Sequence, residues 1–239
     1  MIIISCKYKN DIKNQTSYLV PNKFPYIGTS STISDVILAC ETYMPNEKIV
    51  VVDSNSEDKS YFDFLRDKNI DIIEGNSNYE VGAIWMAYNK YPNESHYMFL
   101  QDTVIPVTDL TQHYPQQDNE VVSFLYTTDF NSCEPGEMEW CIDSIKTTDI
   151  PPLLSGFRIF CFNLFIARNY FLKDLKNHNF HRILPTNKSG SACMERLLGM
   201  AATQLGYSTK FLVGHIHMQT DTYNLHSNPY IIKNFGERQ

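Results

Sequence analysis

The feature that most restricts what this chain can fold into is an alternation over its first 106 residues. Short, almost wholly apolar runs are separated by segments with the spacing of one helix face. "IIISC" at Ile2–Cys6 reads as a buried strand. "STISDVILACETYM" follows, with Ile33, Val36, Ile37 and Cys40 on one helical face and Thr32 or Ser34 in position to cap it. "KIVVVDSNSED" gives an apolar strand over 49–52 that stops at Asp53. "DKSYFDFLRDKN" predicts a helix, "IDIIEG" a short strand, "NYEVGAIWMAYNKY" a second strong helix, and "HYMFLQDT" the next strand. That rhythm is βαβ with a parallel sheet, and uninterrupted apolar runs fit strands covered on both faces. The expected class is α/β, a Rossmann-like, mostly parallel sheet flanked by helices.

The second half is less regular. "EVVSFLY" reads as a strand, and 127–152 is a long polar stretch without a clear period, which predicts a functional loop carrying Trp140. "FRIFCFNLFIAR" reads as strand passing into the helix "RNYFLKDLKN". "SGSACMERLLGMAATQLGY" reads as a helix with a capping serine and a closing Gly206, and "STKFLVGHIHM" as a last strand or hairpin. With no internal repeat and no linker rich in Gly, Ser or Pro, residues 1–239 are expected to form one domain.

Several classes are excluded early. Twenty Lys and Arg against 27 Asp and Glu give a net charge of −7, and no basic cluster appears, so a nucleic-acid backbone is not the expected partner. No run of about 18 apolar residues is present to span a bilayer, and the first apolar run is too short for a signal-peptide core. Six cysteines without a CxxC pair then read as reduced thiols of a cytoplasmic protein. Cys133 and Cys141 could pair or bind metal, but no neighbouring histidine completes a set. There is no GxGxxG and no GxxxxGK[ST]. The turn "CKYKN" lacks the glycine-rich loop of a methyltransferase or sugar nucleotidyltransferase.

Ligands of open α/β sheets bind outside the carboxyl ends of the strands, and two strands here end in an aspartate, Asp53 in "VVVDSNS" and Asp102 in "FLQDT". Two readings stand. Asp53 caps the next helix and Asp102 begins an Asx-turn, or both carboxylates serve one site at that edge.

"IVVVDSNSED" resembles the "VVVDDGSTD" strand of A-type (GT-A) glycosyltransferases, especially inverting family 2. "EGNSNYEVGAIWMAYNK" is similar to the family's following helix through Asn78, Gly82 and Asn89, and "YMFLQDTVIP" to its "FLDADD" or "LEDDV" strand. The resemblance runs from residue 49 to 106 and is looser beyond. It implies a GT-A fold with a nucleotide-sugar-binding half, 1–106, and an acceptor-side half, 107–239, that holds a smaller antiparallel region. It implies a nucleotide-diphosphate sugar donor and a glycan or small-molecule acceptor. The expected donor-binding residues are Ser5, Asp53, Ser54, Asn55, Asn78, Gly82, Gln101, Asp102 and Thr103, with Asp53 meeting the nucleoside.

The family's acidic cluster binds a divalent cation, Mn²⁺ or Mg²⁺, with the donor diphosphate. Here that triplet is Gln101–Asp102–Thr103, so one carboxylate remains where such an ion favours several hard oxygen ligands. His215 and His217 lie two apart on a strand and share a side. The resemblance makes His217 a further metal ligand beside Asp102; otherwise the pair are ordinary polar positions. The family's catalytic base matches Glu195 in "CMERLLG", with Arg196 where relatives carry aspartate, so Glu195 and Asp102 are the expected catalytic residues. The plain alternative for Glu195 is an exposed acid favoured by its helix's N-terminal dipole. Arg196 would stabilise phosphate or pin Glu195, and Lys7, Arg158, Lys188 and Arg238 are further cations for the leaving diphosphate. Two rival functions remain, a degenerate scaffold that keeps the fold and a nucleotidyltransferase.

Overall fold

The computed structural model describes residues 1–7, 32–128, 136–215 and 229–233. In chain order the elements are β1 (Ile2–Cys6), α1 (Thr32–Tyr43), β2 (Ile49–Asp53), α2 (Tyr61–Asp67), β3 (Asp71–Ile73), α3 (Tyr79–Lys90), β4 (His96–Gln101), β5 (Val104–Pro106), β6 (Glu120–Thr127), α4 (Glu137–Ile145), β7 (Ile159–Phe160), β8 (Phe165–Arg168), α5 (Asn169–Asn177), α6 (Lys188–Gln204), β9 (Ser208–His215) and β10 (Ile231–Lys233).

The main sheet runs β3-β2-β1-β4-β8-β6-β7, with β9 joined to β6; β10 pairs separately with β5. β1 is parallel to β2 and β4, β2 to β3, and β6 to β9. β8 and β7 introduce the antiparallel pairs. The result is a mixed, mostly parallel α/β sheet, as expected, with its antiparallel part in the second half.

Strand alternation divides the core into two layers. Ile3, Val50, Val52, Tyr97 and Phe99 pack towards α3 and α6, while Ile2, Ile4, Val51, Met98 and Leu100 pack towards α1 and α2. Each strand is apolar on both faces because both faces are covered.

Two readings of the second half are corrected and one is refined. The polar stretch 127–152 contains α4, whose apolar signal is little more than the buried pair Cys141 and Ile145, one turn apart. The segment 157–168 passes into a helix as expected, β8 running directly into α5 at Asn169, but the strand part is interrupted. It is two short strands separated by a one-turn 3₁₀ segment, with Phe162 and Asn163 both at positive φ (61° and 53°). The cap of α6 is Asn187, whose side chain accepts from Gly190 N at 2.8 Å, rather than a serine. Gly206 closes that helix at φ 78°, as expected.

Among the described residues no helix is long and apolar enough to cross a membrane, and Cys6, Cys40, Cys141, Cys161 and Cys193 are buried thiols outside any disulfide. Cys133 lies outside the described residues.

Candidate functional site

The carboxyl ends of β2, β1 and β4 lie side by side. Cys6 pairs with Asp53, and Ser5 pairs with Gln101. Beyond the strands, Ser54 N donates to Cys6 O at 2.8 Å and Asp102 N to Ser5 O at 3.0 Å, so the two aspartate loops leave the sheet on either side of β1. Lys7 N then donates to Asp102 Oδ2 at 3.0 Å. One edge thus carries Asp53, Ser54, Ser5, Gln101, Asp102 and Lys7.

The side chains divide between the sheet's two faces. Asp53 is fully buried; Tyr61 OH donates to its Oδ1 at 2.7 Å and Ser56 N to both oxygens at 3.1 and 3.3 Å. Lys59 Nζ lies 3.9 Å from Oδ2. Burial, above all, holds the Tyr61 phenol far above its ordinary pKa and hence as a donor. Asp53 therefore shapes the loop Ser54–Asn55–Ser56, in which Asn55 is exposed at φ 56°. Alternation continued one residue past β4 carries Asp102, also buried, to the same face; Thr103 beside it is buried too.

On the α3 face, Ser5 Oγ is 3.5 Å from Ser54 Oγ. Asn76 organises this side: its amide donates to Ser54 Oγ (2.8 Å) and Tyr79 O (2.6 Å), and its Oδ1 accepts from Asn78 N (3.0 Å). The expected Asn78 instead donates to Pro185 O at 3.0 Å, and Gly82 backs the loop, since a Cβ there would stand 2.0 Å from Asn76 Oδ1. Asn76 was not singled out in the sequence, although it sits two residues from Asn78 in the same polar run.

Gln101 is held from two sides, its Nε2 donating to Glu80 Oε1 (3.1 Å) and to Phe162 O (3.0 Å). Glu195, half-buried on α6, lies close enough to Cys161 that its charge adds to the burial that raises that thiol's pKa. The helix thus brings Glu195 beside the 161–163 turn that Gln101 holds. Arg196 also acts on the Cys161 thiol, in the opposite sense; its NH1 donates to Ala192 O (3.3 Å) and lies 3.5 Å from Glu137 Oε2, and its Nε is buried without a partner among the described residues. The Arg158 guanidinium lies 4.8 Å from the centroids of both Tyr126 and Phe211, and Lys188 opens α6. Of the expected cations, Lys7 meets Asp102 through its backbone N–H. Arg238 and His217 lie outside the described residues.

Among the described residues no group of three His, Cys, Asp or Glu side chains could hold a metal ion. Asp102 brings one carboxylate, already accepting from Lys7 N, and this donor set does not fit an ion that favours several hard oxygens.

No family model matches the chain, and no curated protein matches it in sequence. Solved structures resemble it. GalNAc-T7, in a structure with UDP, GalNAc and Mn²⁺, superimposes with a TM-score of 0.52 at 10% identity, over 88% of this chain and 41% of that one. S. aureus TarS 1-349 in complex with UDP gives 0.47 at 14% identity, over 96% of this chain and 58% of that one. The CMP:2-keto-3-deoxy-manno-octonic acid synthetase complexed with CTP gives 0.48 at 13%, over 88% and 87%. The chain spans about half the length of the two glycosyltransferases (41% and 58%). At such identities the likeness is one of fold alone, an α/β fold of the GT-A type.

Proposed function

We propose that this chain is a glycosyltransferase that moves a sugar from a nucleotide-diphosphate donor to an acceptor hydroxyl with inversion. The observation that carries the reading is the shared edge, where the Asp53 and Asp102 loops flank the carboxyl end of β1 in a GT-A fold. Residues 1–106 would hold the donor, with Ser5, Ser54, Asn55 and Thr103 nearest the nucleotide and Asp53, Asn78 and Gly82 shaping their loops. Residues 107–239 would hold the acceptor.

In the reaction, Glu195 takes the proton of the acceptor hydroxyl as its oxygen bonds to the donor's anomeric carbon. The bond from that carbon to the diphosphate oxygen breaks, and the leaving diphosphate keeps the electron pair. Lys7, whose backbone N–H donates to Asp102, would bring positive charge to that leaving group.

The test is a melting-temperature panel of uridine, guanosine and cytidine diphosphates, each with and without Mn²⁺. A diphosphate at about 100 times its Kd adds ~2.7 kcal/mol, which raises the midpoint of a chain this size by roughly 5–10 °C. No shift with any nucleotide contradicts the reading. Pyrophosphate release from a nucleoside triphosphate and a sugar phosphate would favour a nucleotidyltransferase instead.

A further inference from the structure

Glu80 is the one acid that faces the strand tip from α3. A glutamate in the first turn of a helix ordinarily serves its own helix, by facing the N-terminal dipole or, one residue further on, the cap amide. Here that amide, Asn78 N, is taken by Asn76 Oδ1. The Glu80 carboxylate instead bridges two distant elements, with Oε1 accepting from Gln101 Nε2 at 3.1 Å and Oε2 from Ser191 Oγ at 2.8 Å, 21 and 111 residues away. The same Gln101 amide holds Phe162 O, in the 161–163 turn where two successive non-glycine residues keep a left-handed backbone. Two acceptors at one end of an amide require that end to be the NH₂, so the orientation of Gln101 is dictated by Glu80 and Phe162 together.

A second observation falls on the same spot. A small cavity is lined by Ser5, Glu80, Gln101 and Asn163. The Asn163 side chain is 4% exposed, and its Oδ1 has no hydrogen-bond partner among the described residues. Strained backbone and an unsatisfied polar atom are retained where surrounding contacts fix them for a task.

We propose that Glu80 is a positioning residue. It latches the strand tip to the first turn of α6, so that a nucleotide diphosphate bound at Gln101–Asp102 also fixes the helix that carries Glu195. This rests on the donor site proposed above. Glu80→Gln keeps the shape of the latch, because its amide oxygen accepts from Gln101 and its NH₂ donates to the Ser191 hydroxyl, which both gives and accepts. Glu80→Ala removes both links, and Ser191→Ala removes only the one to α6.

Amide hydrogen exchange over 101–106 and 188–194, with and without uridine or guanosine diphosphate, separates these roles. Without nucleotide, Glu80→Ala and Ser191→Ala are expected to speed exchange at 188–194 by about tenfold, with Glu80→Gln within about threefold of the parent. Nucleotide is expected to slow both segments in the parent and in Glu80→Gln, but only 101–106 in Glu80→Ala. Exchange at 188–194 unchanged in Glu80→Ala, or nucleotide protection there surviving the substitution, overturns the proposal. If neither diphosphate slows exchange anywhere in the parent, the donor site fails and with it the ligand coupling. The mechanical latch is then judged on the nucleotide-free rates alone.

Discussion

Gly199→Ala is expected to lower the unfolding midpoint by roughly 6–12 °C. On helix propensity alone the change would stabilise α6 by about 1 kcal/mol. The surroundings reverse the sign, because a Cβ at Gly199 would stand 1.8 Å from Arg158 O and 2.9 Å from Arg158 C. These are backbone atoms at the start of β7 and cannot swing aside, so α6 must lift away from β7. Overpacking of a core costs about 1–3 kcal/mol when side chains can adapt, and more when backbone must move; a net loss of about 3 kcal/mol follows. Thermal unfolding at neutral pH reads it directly. An unchanged or raised midpoint would mean that α6 does not rest on β7 as described, and the placement of Glu195 would go with it.

The second large effect concerns that residue. Glu195→Gln keeps size and helix propensity and removes the base, so turnover is expected to fall by about 10²–10⁴-fold, with the donor KM within about threefold because the strand-tip loops are untouched. The split matters. If turnover falls less than tenfold, the acceptor proton goes elsewhere, and Glu195 is the ordinary first-half acid of an amphipathic helix. If KM rises while turnover holds, Glu195 binds the donor rather than the acceptor hydroxyl.

How much of this was legible in the chain depends on the range of the interactions. The βαβ half could be read because β1, β2 and β4 are covered on both faces, so their residues form nearly unbroken apolar runs, and the helices show their buried faces at regular spacing. Asp53 and Asp102 were visible for the same reason, as carboxylates that break apolar runs at the strand tips. What the Asp53 carboxylate does was not visible, since its partner Tyr61 reads as one more aromatic on a helix. α4 was hidden because its one buried apolar pair is shorter than a helical period test can register, and the 161–163 kink because neither Phe162 nor Asn163 announces a left-handed turn as glycine would. Glu80 was hidden most completely. Its partners lie 21 and 111 residues off, and only the assembled sheet edge brings them together.

In the function proposed here, the loops carrying Asp53 and Asp102 form one nucleotide-diphosphate site at the carboxyl edge of β1, β2 and β4. Isothermal titration of uridine and guanosine diphosphates into the parent chain and into Asp102→Ala tests it most directly. Saturable one-to-one binding of one of them is expected, weakened by about 30-fold or more when the carboxylate that accepts from Lys7 N is removed, equivalent to ~2 kcal/mol. Binding of equal strength to both proteins, or to neither, would contradict it.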